Sequence, residues 1–329
     1  MAVKWPISYK DRYVKYNKIL RSCLKSSEEI YYNKKLKTAQ GNMKQTWQTI
    51  NSVLKRNKPC DEVEIKAPDG VKSKANYAND YFLNTIDALK SEVNTVTNKH
   101  FTDYLNPNVN YSMYLKPVTE DEIMKYCKEI KTNAIGYDGI SPEILKLSIK
   151  YTSKPLTYII NQCFKNGTFP EDLKLAKVIM IHKTGDKSDI KNKRPISILS
   201  AISKIFEKSI HTRVQSYLEK FDLISKNQHG FRHNHSTESA VLNFTTLNLA
   251  LNQNKFSIGL FLNFSKAFKC IEHKLDYSGS CVPALSLMKD YISCRKQAVY
   301  YKNEYSSFRE LKYGVPQGSI VGPLLFCLR

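Results

Sequence analysis

Apolar positions recur along the chain with two periods, one helical and one strand-like, and their succession sketches a mixed architecture. Tyr13, Tyr16, Leu20, Cys23 and Leu24, followed by Ile30 and Tyr31, keep a helical spacing, and Trp47, Ile50, Val53 and Leu54 repeat it ahead of Pro59. Two amphipathic helices are predicted there. From Pro59 to about Leu115 the pattern weakens into a polar connector, with a turn at Pro68-Asp69-Gly70, a loop at Asn106-Pro107-Asn108 and one helix around Tyr77 to Leu89. A clearer domain opens at Thr119, whose hydroxyl is placed to cap a helix while Glu122 reaches back, with Ile123, Cys127 and Ile130 on one face. Ser141-Pro142 starts another helix, since proline fits the first helical position, where no N–H is needed. Leu156, Ile159, Ile160, Cys163 and Phe164 trace a third that stops at Gly167.

A strand over Leu175 to His182 then leads into a polar, basic loop from Lys183 to Arg194. Ile198, Ile202, Ile205, Phe206, Ile210, Tyr217 and Phe221 trace a long helix, and Val241, Phe244, Leu247 and Leu251 a further one from about Thr237. The run Ile258-Gly259-Leu260-Phe261-Leu262 is short and apolar, as suits a strand buried on both faces. Gln297 to Tyr301 and Ser306 to Lys312, separated by Asn303-Glu304, read as a hairpin. Helices and strands mix without a repeat, so the expected class is α+β.

Composition adds a partner to this outline. Hydrophobic residues are 42% of the 329 and charged ones 25%, enough apolar material for a core without staples. Lys and Arg number 51 against 30 Asp and Glu, a formal charge of +21, which favours a polyanion over a neutral metabolite. The excess is uneven, because residues 1–58 hold 14 Lys and Arg against 3 Asp and Glu. That arm reads either as a nucleic-acid-binding element or as a helical linker with a solvated face. The eight cysteines show no C-x-x-C pair and no zinc-ligand spacing, so free thiols in a reducing compartment are expected. MAVKWPISYK lacks the apolar segment of a signal peptide, and no apolar run approaches the roughly 18 residues of a membrane span. An intracellular setting, nucleus or cytoplasm, with no membrane partner is expected.

Four segments carry candidate chemistry. Ile181-His182-Lys183-Thr184-Gly185-Asp186, leading to Lys193-Arg194-Pro195-Ile196-Ser197, brings Lys183 close in sequence to Arg194. A point charge beside a guanidinium fork is what a triphosphate attracts, although a solvated basic loop has the same composition. Gln228 to Thr237 contains His229, His233 and His235, yet no carboxylate or cysteine completes a ligand set, so a capping turn fits better than zinc and no metal ligand is assigned. Leu260 to Lys269 is an apolar strand ending in polar residues. Gly314 to Phe326 places Pro316 and two glycines in a tight loop expected to expose Gln317, with Ser319 positioned to cap a following helix.

In this order, the segments resemble the fingers and palm motifs of reverse transcriptases of non-LTR retrotransposons, close to the jockey-type elements of insects, with group II intron maturases second within the class. The resemblance rests on FPEDLKLAKVIMIHKTGD, KRPISILSAISKIFEK, QHGFRHNHST, LFLNFSKAF and GVPQGSIVGPLLF, from about Leu115 to Arg329. Residues 1 to about 115 resemble, more weakly, the linker joining endonuclease to polymerase in such elements. The implied architecture is an α+β right-hand polymerase in which residues 116–329 supply fingers and a partial palm, after a basic helical extension (1–58) and a connector (59–115). Thumb and metal-binding palm hairpin are expected to be missing.

The resemblance implies RNA-directed DNA polymerase chemistry, in which a primer 3′-hydroxyl attacks the α-phosphate of a deoxynucleotide while two Mg²⁺ ions clamp the attacking and leaving oxygens. RNA, DNA and deoxynucleotides are the implied partners. It assigns Lys183 and Arg194 to the triphosphate, Phe268 to the floor under the sugar, and Pro316, Gln317 and Gly318 to the nascent base pair and template. Two departures bear on activity. Asn263 stands where the family has Asp, and Lys269 where it has a second acidic residue. A neutral carbonyl and a nearby cation serve Mg²⁺ poorly in place of hard carboxylates. The family's Tyr- or Phe-Ala-Asp-Asp hairpin is expected after Phe326, and the sequence stops at Arg329; the spacing from His273 to Gly279 also looks shorter than usual. The expectation is a truncated, degenerate domain with no intact catalytic residue, no bound metal and no polymerisation of its own. A non-catalytic RNA- or DNA-binding module and a translated relic are the alternatives.

Overall fold

A computed structural model describes residues 7–54, 64–92, 112–232, 234–242, 245, 260–262 and 282–327. The chain divides into two compact units, Met1–Glu62 and Val63–Arg329. The first contains the two helices expected from the apolar period, α1 (Ile7–Thr38) and α2 (Met43–Val53). Asn42 caps α2 by accepting the Gln45 N–H, and Gly41, at φ +84°, turns the chain between the helices. Ala39 and Thr49 are buried there, whereas Tyr13, Tyr16, Leu20, Leu24, Ile30 and Tyr31 are each more than half exposed.

Among the described residues, the second unit has two cores. One is helical, built from α4 (Glu120–Glu129), α5 (Pro142–Asn166), α6 (Ala201–Lys220), α7 (Val282–Ile292) and α8 (Val321–Cys327). The expected caps form: Thr119 and Glu122 make a reciprocal capping box, and Ser141 accepts the Ile144 N–H ahead of Pro142. The two helices expected between Ser141 and Gly167 are a single one. Pro155 lies inside α5, but Leu145, Ile149, Ser153, Ile160 and Phe164 form one buried stripe through it, so packing holds both halves in line. Phe164, Phe169, Phe206 and Tyr291 stack edge-to-face at the centre, with centroids 4.8 to 6.1 Å apart. Lys174, buried beneath them, donates to Glu171 at 2.6 Å and to Asp290 at 2.7 Å.

The other core joins a sheet to α3 (Lys74–Glu92), the helix expected in the connector. Phe82 and Ala78 of α3 pack with Val178, Met180, Val299 and Tyr301. The strands are β1 (Leu175–His182), β2 (Lys193–Ile198), β3 (Lys296–Tyr301), β4 (Glu304–Tyr305) and β5 (Arg309–Glu310), in the order β2-β1-β3-β4 with β5 also on β3. β1 falls where the sequence placed it, antiparallel to β2 and parallel to β3. The β3–β4 turn sits one residue earlier than expected, at Lys302-Asn303, whose φ values of +46° and +66° are the left-handed backbone conformations that let a two-residue turn match the right-handed twist of the strands.

Three further elements differ from the sequence reading. β2 occupies what read as the end of a loop and the start of a helix, and Ser200 then caps α6, accepting the Ser203 N–H, so that helix opens at Ala201. α7 was not anticipated, although Ala284, Leu287, Met288, Tyr291 and Ile292 are buried at helical spacing. Of the expected buried strand over 258–262, Leu260, Phe261 and Leu262 are described; they lie outside any strand and are 82%, 80% and 73% exposed. The interior positions in the sheet belong to β1, flanked by β2 and β3, and to β3, which pairs β1 on one side and β4 and β5 on the other. Among the described residues no helix is long and apolar enough to cross a membrane.

Candidate functional site

The site grows from the β1–β2 hairpin. Side chains alternate between the faces of a strand, and Ile181 pairs with Arg194 while Lys183 lies two residues further along, so Lys183 and Arg194 share one face. Both are exposed, as is Ile181 at 49%, whereas Met180 and Lys193 on the opposite face are buried. The connecting loop is fixed by its own polar groups. The Lys183 N–H donates to the Asn192 carbonyl at 2.8 Å, the Asn192 side-chain amide to the Asp186 carbonyl at 3.1 Å, and the Ser188 N–H to the Asp186 carboxylate at 2.9 Å. Those Ser188 hydrogen bonds hold the Asp186 pKa below the usual carboxylate value. Burial, followed by repulsion from Lys187, lowers that of Lys193.

The Pro316–Gly318 loop docks on the outer edge of the same hairpin. The Ser197 N–H donates to the Gln317 carbonyl at 2.9 Å, and the Ser319 N–H closes the turn on the Pro316 carbonyl at 3.0 Å. Pro195 is tolerated because its nitrogen has the parity of Ser197 and faces the outer edge, where β1 needs no donor. Gly318 is required twice over. Its φ is +126°, and a Cβ there would stand 2.7 Å from the Ser197 carbonyl oxygen. The expected exposure of Gln317 is corrected: it is half-buried in a small cleft with Phe82, Pro195 and Gln297, Pro316 is buried, and Gly318 is the exposed residue of the three. Ser319 caps the following turn as expected, accepting the Gly322 N–H at 3.1 Å.

Sequence reasoning missed the support beneath this loop. Glu207, fully buried on α6, accepts from the Tyr291 hydroxyl at 2.8 Å and from the Ile320 N–H at 2.7 Å. Burial pushes its pKa up against the pull of Arg295 and these two donors, and burial likewise raises that of Tyr291. The signal was present in SKIFEK, where Glu207 occupies the same helical stripe as Ser203, Phe206, Ile210 and Val214.

In the histidine segment, Ser236 and Ser239 cap each other's N–H groups at 3.2 and 3.0 Å, and His229 bonds the Ser239 hydroxyl at 2.8 Å. His233, Asn263, Phe268 and Lys269 lie outside the described residues. Among the described residues no group of three or more His, Cys, Asp or Glu is placed to hold a metal ion.

Residues 181–329 match the reverse transcriptase (RNA-dependent DNA polymerase) family. The probable RNA-directed DNA polymerase from transposon BS of Drosophila melanogaster is 28% identical over 94% of this chain and 35% of its own length. From the same organism, the probable RNA-directed DNA polymerase from transposon X-element is 31% identical over 69% of this chain and 26% of its own length. The RNA-directed DNA polymerase from mobile element jockey is 31% identical over 68% and 25% respectively. The chain thus spans between a quarter and about a third of the length of these relatives.

Proposed function

Residues 181–329 belong to the reverse transcriptase family, in a chain of the jockey-like, non-LTR kind, and from that premise we propose that this domain holds a deoxynucleotide and a primer–template without joining them. Lys183 and Arg194 receive the triphosphate, the first as a mobile point charge and the second as a bidentate fork. The family resemblance assigns Phe268 to the floor under the sugar. Gly318, exposed and without a side chain, lets the nascent base pair approach the backbone, while Pro316 and Gln317 shape the loop behind it. The observation that carries this reading is the docking of the loop on the hairpin through Ser197 and Gln317, which ties the template side to the phosphate side.

Absence of turnover follows from donor chemistry. Mg²⁺, when bound in the family, neutralises the reacting phosphate and activates the primer hydroxyl. Asn263 and Lys269 offer a neutral amide and a cation where acidic residues are needed, so these residues do not fit the metal. The basic helices α1 and α2 supply further phosphate contacts, a role supported by the 14 Lys and Arg among residues 1–58.

Binding of an RNA–DNA hybrid and of a deoxynucleoside triphosphate, followed by fluorescence anisotropy across a salt series, tests the proposal. Hybrid affinity is expected to fall steeply with salt. Lys183→Ala with Arg194→Ala is expected to weaken nucleotide binding by at least about tenfold, two charge-assisted contacts being lost. Salt-independent hybrid binding, or unchanged nucleotide affinity, would refute it.

A further inference from the structure

Glu207 is used by nothing in the roles assigned above, yet its setting is costly. A carboxyl group has been taken fully out of water on the apolar stripe of α6, where a leucine or methionine would fill the same space. Its two oxygens serve two different elements. One accepts from the Tyr291 hydroxyl of α7 at 2.8 Å, and the other from the Ile320 backbone N–H at 2.7 Å. Ile320 lies two residues beyond Gly318, and the residue between them, Ser319, is buried, closing the turn onto Pro316 and accepting the Gly322 N–H. The loop is therefore held at both ends, from the sheet by the Ser197 N–H and from the helical core by the Glu207 carboxylate.

We propose that Glu207 is a positioning residue, which fixes the height of the Pro316–Gly318 loop over the hairpin through the Ile320 N–H. A carboxylate suits this task because the Tyr291 hydroxyl and the Ile320 amide both point donors at it, and two acceptor oxygens satisfy both at once. Tyr291 orients the carboxylate, and Arg295, almost fully buried at 1% exposure, supplies the balancing charge. The inference rests on reading this loop as the template side of the site.

Amide hydrogen exchange on the full chain tests it. In the parent chain Ile320 should be protected to a degree comparable with Ile210 of α6; exchange of Ile320 at the rate of an open loop would overturn the proposal without any variant. In Glu207→Leu, Ile320 should exchange at least tenfold faster relative to Ile210 and Val214 in the same molecule, whereas Glu207→Gln, which keeps one acceptor, should restore most of the protection. A uniform change across all three amides, or none, marks Glu207 as plain core and sinks the idea. Binding of the RNA–DNA hybrid by the same variants separates the two claims. If the loop loosens and hybrid affinity is unchanged, the anchoring by Glu207 stands and the template role of the loop fails.

Discussion

The segment 316–322 and helix α1 are both rich in groups that need partners, and they find them in opposite places. Around the loop, polar groups are answered from within the molecule: Ser197, Glu207 and Ser319 between them satisfy the Gln317 carbonyl and the N–H groups of Ile320 and Gly322. Along α1, Tyr13, Tyr16, Leu20 and Leu24 stand exposed beside a dense series of lysines and arginines. The loop is over-determined, so its shape is fixed before any ligand arrives. The stability of the fold owes little to the surface of α1, the surface to which the proposed phosphate contacts are assigned.

The comparison can be broken most severely at Glu207. Glu207→Ala leaves the Tyr291 hydroxyl and the Ile320 amide without their shared acceptor and removes the carboxyl that offsets the charge of buried Arg295, and a loss of about 3–5 kcal/mol in urea unfolding is expected; a loss below about 1 kcal/mol would show the network to be dispensable. Gly318→Ala comes next, since its Cβ meets backbone rather than a flexible side chain and φ is +126°. About 2 kcal/mol is expected, with weakened hybrid binding read in the same preparation. Ser319→Ala removes one cap and is expected to cost about 1 kcal/mol by the same unfolding measurement.

Acid sharpens the comparison at a third place. Burial raises the Glu122 pKa, but hydrogen bonds from Arg213 and from the Thr119 N–H outweigh it and hold the carboxyl below its ordinary value. Its contribution is therefore present above the unfolded-state pKa and is lost as pH falls through the lower folded value. Unfolding across an acid series should show this loss in the parent chain and a smaller one in Glu122→Gln. The smallest effect belongs to α1: Leu20→Ala should change stability by no more than about 0.5 kcal/mol. Replacing α1 lysines should lower the salt slope of hybrid binding by about 0.9 for each phosphate contact removed. A large stability change with an unchanged slope would reverse the contrast.

How far the sequence revealed this arrangement depended on whether a local rule sufficed. Thr119, Ser141 and Gly167 are local signals, and each terminates its helix as expected. β1 was legible because eight mostly apolar residues lie between clear breaks. β2 was not, because Lys193-Arg194-Pro195 reads as loop until an adjacent strand and the Gln317 carbonyl take up its hydrogen bonds. The division of α5 into two helices, one from Ser141-Pro142 and one through Leu156 to Phe164, was not kept, because one buried stripe runs through both. Of the structure around the candidate site, strand β1 leading to Lys183 and the tight turn at Pro316–Gly318 were legible from their segments. The partner of the loop was not, since Glu207 and Ile320 are 113 residues apart and only the fold brings them together. The misplaced charge on a helical stripe was the one trace it left in the sequence.

Primer extension on an RNA template, with Mg²⁺ or Mn²⁺ and all four deoxynucleotides, tests the central claim most directly. The purified chain should retain the annealed primer in a salt-sensitive complex and leave its length unchanged. Robust extension of that primer would contradict the account, because it would require a metal to be held despite Asn263 and Lys269.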